Sequence, residues 1–165
     1  MIVIKSAGIN DLKIIRQLAY EIWPSAYGNI LSQSQLTYML DNIYSIASLQ
    51  NQLSVLKHQF LIILENHVPV GFASFSPHED NKLIYHLNKI YVLPQQQGQN
   101  IGKRIIDHII MEIKNGGATS LQLNVNRNNK AIAFYKKLGF EIIREEDIDI
   151  GEGYFMNDYV MEKKL

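Results

Sequence analysis

Apolar residues along the chain switch period several times, and each switch marks an element. "MIVIK" is β-branched and predicts a first strand. "NDLKIIRQLAYEIW" then places Leu12, Ile15, Leu18, Ala19 and Ile22 on one helical face, with Asn10 as its expected N-cap and Pro24 as its expected stop. Residues 33–58 keep the helical period in two pieces: Leu36, Met39 and Leu40, then Ile46, Leu49, Leu53 and Leu56. After this the period shortens. "QFLIILENHVPVGFASFSP" predicts two apolar strands in a hairpin about "ENHVP", and "NKLIYHLNKIYVLP" a long strand ending at Pro94. Ile101, Ile105, Ile106, Ile109, Ile110 and Ile113 return to helical spacing until "NGGA". "TSLQLNV" alternates as a strand, and "NNKAIAFYKKL" is a helix stopped at Gly139. "FEIIREEDI" and "GYFMNDYVMEKKL" close the chain as strands. The order β-ααα-ββ-β-α-β-α-β-β predicts an α+β fold around a single central sheet. With no repeat, low-complexity tract or linker, residues 1–165 are expected to form one domain.

Composition narrows the chemistry. With 47% hydrophobic and 19% charged residues the chain is expected to pack as a globule. The absence of cysteine excludes disulfides, thiolate metal sites and a cysteine nucleophile. The N-terminus lacks a basic segment followed by a long apolar one, and no apolar run approaches the roughly 20 residues of a membrane span. A soluble, cytoplasmic protein is the expectation, with no membrane partner. His58, His67, His78, His86 and His108 show no ligand spacing, so no metal is expected. Lys plus Arg (16) equals Asp plus Glu (16) and no groove-reading motif occurs, which argues against nucleic acid. The charge is unevenly spread. Seven basic residues (Lys103, Arg104, Lys114, Arg127, Lys130, Lys136, Lys137) face two acidic ones over 97–140, and eight acidic face three basic over 141–165. The first stretch suits an anionic cofactor and the second a cationic substrate; solvated surfaces would have the same composition.

The stretch "VLPQQQGQNIGKRIIDHII" (92–110) joins a strand to a helix through Gly98 and Gly102. A helix start leaves free N–H donors at the positive end of the macrodipole, and glycine lets a phosphate approach them. Only three residues separate the glycines and Lys103 is followed by Arg104, so this is no nucleotide P-loop; the G-x-G-x-x-G spacing is also absent. On these residues alone the turn fits a ligand loop or an ordinary helix start.

Together, "LNKIYVLP", "QQGQNIG" and "NRNNKAIAFYKKLGF" resemble the GNAT superfamily of acetyl-coenzyme A dependent N-acetyltransferases. The resemblance covers about 70–165, and the element order of the remainder agrees. In the family's turn pattern, Gln/Arg-x-x-Gly-x-Gly/Ala, Gln97 and Gly102 match the ends while Asn100 replaces the middle glycine. Asparagine is among the better non-glycine residues at positive φ. Asn128, Ala131, Phe134, Tyr135, Leu138, Gly139 and Phe140 match the second block.

The resemblance implies a mixed, mostly antiparallel sheet and an enzyme that uses acetyl-coenzyme A as co-substrate, without metal, by direct attack in a ternary complex. It implies that the backbone of Gln97, Gly98, Gln99, Asn100, Ile101, Gly102 and Lys103 holds the pyrophosphate. The strand end at Tyr91, Val92 and Leu93 would pair with the pantetheine arm and supply oxyanion donors. Asn128 would contact that arm, and Tyr135 would protonate the departing thiolate. Packing of the helix is the other role open to Tyr135.

The base is less defined. Asn88 stands where relatives often carry a glutamate and cannot take a proton; His86, on the same strand face, can. A water chain would serve as well. The first helical region and the chain's ending loosely resemble the bacterial polyamine acetyltransferase branch. Glu145, Glu146, Asp147, Asp149 and Glu152, expected between the last strands, suit a cationic amine. The expected partner is thus a small-molecule amine, and a homodimer is compatible with this reading. A protein N-terminus or lysine, an aminoglycoside, or non-catalytic acyl-coenzyme A sensing remain as alternatives.

Overall fold

A computed structural model describes residues 1–165. In chain order the strands are β1 (Ile2–Ala7), β2 (Gln59–Glu65), β3 (Val68–Pro77), β4 (Ile84–Val92), β5 (Ser120–Asn126), β6 (Glu141–Gly151) and β7 (Tyr154–Lys164). The helices are α1 (Leu12–Tyr27), α2 (Gln33–Tyr44), α3 (Ile46–Ser54), α4 (Ile101–Asn115) and α5 (Ala131–Lys137). One seven-stranded sheet runs β1-β2-β3-β4-β5-β7-β6. β4 and β5 are parallel, whereas β1–β2, β2–β3, β5–β7 and β6–β7 pair antiparallel, so the sheet is mixed as expected. The parallel register covers Ile84–Leu87 against Ser120–Leu123, while β4 continues to Val92.

The chain divides into two compact units, 1–76 with 89–107, and 77–88 with 108–165. In the first, the apolar stripe of α1 (Leu12, Ile15, Leu18, Ala19, Ile22) is buried, as are Leu36, Met39 and Leu40 of α2. Ser32 and Ser45 cap α2 and α3 by accepting from the N–H groups of Gln35 and Ser48. In the second, β5 pairs along its whole length with β7, and β7 with β6.

Four sequence expectations need correction. Pro24 does not stop α1, which runs on to Tyr27. The proline lacks an N–H but its carbonyl still accepts from Gly28 (3.0 Å), and the burial of Trp23 and Tyr27, with rings 4.7 Å apart, keeps the last turn on the core. Asn10 is not the N-cap: a 3-10 turn at Ile9–Asp11 precedes α1, and Asp11 occupies the cap position. Leu56 lies past the end of α3 and is exposed, because the chain already turns there toward β2. Finally, Glu145, Glu146, Asp147 and Asp149 lie within β6, and only Glu152 is in the β6–β7 turn. Exposed alternating charge is compatible with an edge strand, which the sheet order makes of β6.

Gly71 of β3 fixes how closely β4 approaches. A Cβ there would lie 2.7 Å from the Tyr91 carbonyl oxygen and 3.4 Å from Val92 Cα, both backbone atoms. Gly71→Ala is therefore expected to cost about 1–3 kcal/mol by overpacking. A thermal melt matching the parent would show that the strands part without cost.

Candidate active site

The residues singled out by sequence fall into two groups. In the first unit, the end of β4 leads through a 3-10 turn at Pro94–Gln96 into the glycine turn and α4. Asn100 has φ 60°, the left-handed backbone that its place in the family's turn pattern implied, and Gly98 takes the same region at φ 85°. Asn100 O accepts from Arg104 N (3.1 Å), which sets the helix start. The N–H groups of Ile101, Gly102 and Lys103 then lie in the first turn, where no intrahelical acceptor exists. Lys103 Nζ is held by Asp107 Oδ2 at 2.6 Å, one turn on, leaving the backbone as the principal anion-binding feature here. Such a turn fits a pyrophosphate. Asn100→Val should cost about 1–2 kcal/mol, since a β-branched residue resists positive φ, whereas Asn100→Gly should cost nothing. Denaturant unfolding of the two variants checks this.

The three strand-end residues are not equivalent. Leu93 N donates to Val70 O (2.8 Å) and Leu93 O accepts from Gln96 N (2.9 Å), so the Leu93 amide is already committed to β3. Backbone polar groups alternate sides along a strand, so those of Tyr91 also face β3 and those of Val92 face the opposite edge. Leu93 thus drops out as an oxyanion donor, and Val92 is the nominated residue whose N–H is directed away from β3. The Tyr91 side chain has another place: its hydroxyl lies 2.7 Å from that of Tyr27, and its ring lies 5.7 Å from Trp23 and 5.5 Å from Phe72.

Lys89 escaped the sequence reading. It is 9% exposed and donates to Gln52 Oε1 at 2.6 Å, with Nζ 5.8 Å from the Tyr44 ring centre and 5.7 Å from that of Phe60. Burial lowers its pKa from 10.5 to about 8. The signal was available: strand alternation puts Lys89 on the same face as Leu87 and Tyr91.

In the second unit, β5 leads into α5 through paired asparagine turns. Asn126 Oδ1 accepts from Asn128 N (2.9 Å), and Asn129 Oδ1 accepts from Ala131 N (2.8 Å), which starts α5. Asn128 is exposed at this turn. Tyr135, four residues into α5, is 8% exposed and packs edge-on to Phe140 at 5.8 Å. Gly139, at φ 96°, ends the helix as expected. His86 pairs in register with Gln122. Burial, then His78, lowers its pKa from 6.5 to about 4, against the opposing pull of Glu146. The imidazole is neutral at pH 7, with its lone pair available. It is a poor final proton acceptor, since an alkylammonium of pKa about 10.4 lies some six units above it.

Comparison with known proteins agrees with this architecture. Residues 57–142, more than half of the chain, match the acetyltransferase (GNAT) domain. A spermidine N(1)-acetyltransferase of Thermoplasma acidophilum is 28% identical over 169 residues, covering 98% of this chain and 96% of that protein. The peptidyl-lysine N-acetyltransferase YjaB of Salmonella typhimurium is 31% identical over 97 residues; the match covers 58% of this chain and 59% of that relative's length. Among solved structures, the PaiA N-acetyltransferase of Thermoplasma acidophilum in complex with coenzyme A superimposes with a TM-score of 0.83 at 26% identity, covering 100% of this chain and 99% of that one. No helix is long and apolar enough to cross a membrane.

Proposed function

Since this chain belongs to the acetyltransferase (GNAT) family, we propose that it moves an acetyl group from acetyl-coenzyme A to a primary amine, and that the amine is a polyamine. The bound coenzyme supplies an activated thioester. The chain's own residues do the rest. Backbone donors from Gln97 to Lys103 hold the pyrophosphate. Val92 takes the pantetheine arm as a neighbouring strand would, and its N–H polarises the carbonyl. Asn128 contacts the same arm. Tyr135 donates a proton to the departing sulfur. The amine must shed a proton before it can attack, and neutral His86 accepts a hydrogen bond from the water that carries it away.

One observation carries this reading: the left-handed backbone of Gly98 and Asn100 just before α4, whose first-turn N–H groups have no intrahelical acceptor. Whole-length likeness to a spermidine acetyltransferase supports the polyamine part. A protein lysine or N-terminal amine is the second reading, supported by partial likeness to relatives named for peptidyl-lysine and for the alanine of a ribosomal protein. Thiol release from acetyl-coenzyme A, measured against polyamines, peptides and aminoglycosides alongside coenzyme binding, decides between them. Saturable turnover on spermidine or spermine supports the proposal, and turnover on peptides alone replaces it by the second reading. Binding without turnover on any amine points to a sensor, and absence of binding overturns the role of the turn.

A further inference from the structure

One face of β5, β7 and β6 holds a negative charge that the proposed reaction leaves unused. Register sets Asn126 opposite Asp158 and Asp158 opposite Glu146, so these side chains share a face with Asn124, two residues along β5. Asn124 Nδ2 donates to Glu146 Oε2 (3.1 Å) and, at greater length, to Asp158 Oδ2 (3.4 Å). The neighbouring acids already have cations. Arg127 holds Asp147 at 2.6 Å and lies 3.8 Å from Glu145, and Arg144 holds Glu146 Oε1 at 2.9 Å.

Asp158 has no such partner. It is 3% exposed, yet Oδ1 makes no hydrogen bond, and Arg127 Nη1 donates to its backbone carbonyl (3.2 Å) rather than to its carboxylate. Burial pushes its pKa up, against the hydrogen bond from Asn124; the charges of Glu146 and, more weakly, Asp147 add to the rise and that of Arg127 opposes it. The cluster sets four carboxylates (Glu145, Glu146, Asp147, Asp158) against two guanidinium groups, beside a neutral His86. An unpaired buried carboxylate is costly until a cation shares its site.

We propose that Asp158, with Glu146 and Asn124, binds a second ammonium group of the acceptor and so selects di- and polyamines over monoamines. This rests on the proposed reaction with a primary amine and assigns the acceptor's remote charge to named residues. An ammonium carries three donors, enough to serve Asp158 Oδ1 and an oxygen of Glu146 together. Asp147, which the sequence nominated equally, is exposed, held by Arg127 at 2.6 Å and makes no contact with Asn124, whereas Glu146, though paired with Arg144 through Oε1, turns Oε2 to the Asn124 amide that Asp158 shares. Asn124 and Glu146, which share hydrogen bonds with the buried Asp158, are themselves only partly buried.

The test compares kcat/KM for 1,3-diaminopropane with that for propylamine, in the parent, Asp158→Asn and Glu146→Gln. Spermidine binding to each protein saturated with coenzyme A is measured by calorimetry. A preference for the diamine is expected in the parent, falling about tenfold or more in Asp158→Asn through KM, as loss of one partner of a desolvated charge pair requires. Glu146→Gln should weaken the preference in the same direction, which keeps the test open if Asp158→Asn does not fold. An unchanged diamine-to-monoamine ratio in both variants overturns the proposal. If no amine is acetylated yet spermidine binds the parent and loses affinity in the variants, the site stands and the reaction falls. If amines are acetylated but spermidine affinity is the same in all three proteins, the reaction stands and the site falls.

Discussion

Tyr135→Phe is expected to lower kcat by about 10²- to 10⁴-fold while leaving coenzyme A affinity close to that of the parent, the range general-acid assistance spans. The substitution is a clean one. Tyr135 is buried with its ring edge-on to Phe140, and phenylalanine fills the same space, so the helix-to-strand packing of α5 is kept and only the hydroxyl is lost. If the residue serves packing alone, kcat is unaffected and the thermal midpoint barely moves. If the phenol protonates the leaving sulfur, the loss falls on kcat and is greatest with acceptors whose attack is otherwise fast. Pre-steady-state thiol release together with coenzyme titration separates the two. A variant with unchanged kcat removes Tyr135 from the chemistry.

The second large effect is on stability against acid. The pKa of His86 is about 4 in the folded chain and 6.5 when unperturbed, so between these values the unfolded state binds the proton and the folded state does not. Stability from this group is fully present above pH 6.5 and is lost as pH falls through the window toward 4. The difference of about 2.5 units corresponds to about 3 kcal/mol at most. Asp158 acts in the opposite sense: its raised pKa means the folded state takes up its proton first, so that group adds stability as pH falls. Glu146 and Glu162, whose pKa values are lowered mainly by hydrogen bonds from Asn124 and Gln122, lose their contribution only below the ordinary carboxylate range. Denaturant unfolding of the parent and of His86→Gln at several pH values from 7 to 4.5 isolates the histidine. The parent should lose stability across that range and the variant much less. Parallel slopes would mean that His86 is solvated enough to titrate normally.

Much of the architecture was legible because it depends on neighbours in sequence. Period-3.6 patterns placed the long helices, and β-branched or continuous apolar runs and period-two alternation placed the strands, since each is set by residues a few positions apart. Asn100 and Gly139 were legible for a related reason: positive φ is a local demand, and few side chains tolerate it. The errors arose where a local rule met a distant contact. Pro24 is an unfavourable helix residue by itself, but Trp23 and Tyr27 on either side of it are buried.

The sequence by itself determined the element order, the turn that opens α4 and the blocks that mark the GNAT family. It also placed Asn128 and Tyr135 on the turn and helix after β5. Only the tertiary structure decided which polar groups remain available. Leu93 N–H is taken by Val70, Lys89 is buried beside Gln52, Asp147 is neutralised by Arg127, and Asp158, unremarkable in sequence, retains an unpartnered oxygen. The physical reason is that a hydrogen-bond or ion-pair partner is chosen by strand register and packing between residues far apart in the chain. Burial, which makes an unpaired charge matter, is a property of the assembled fold.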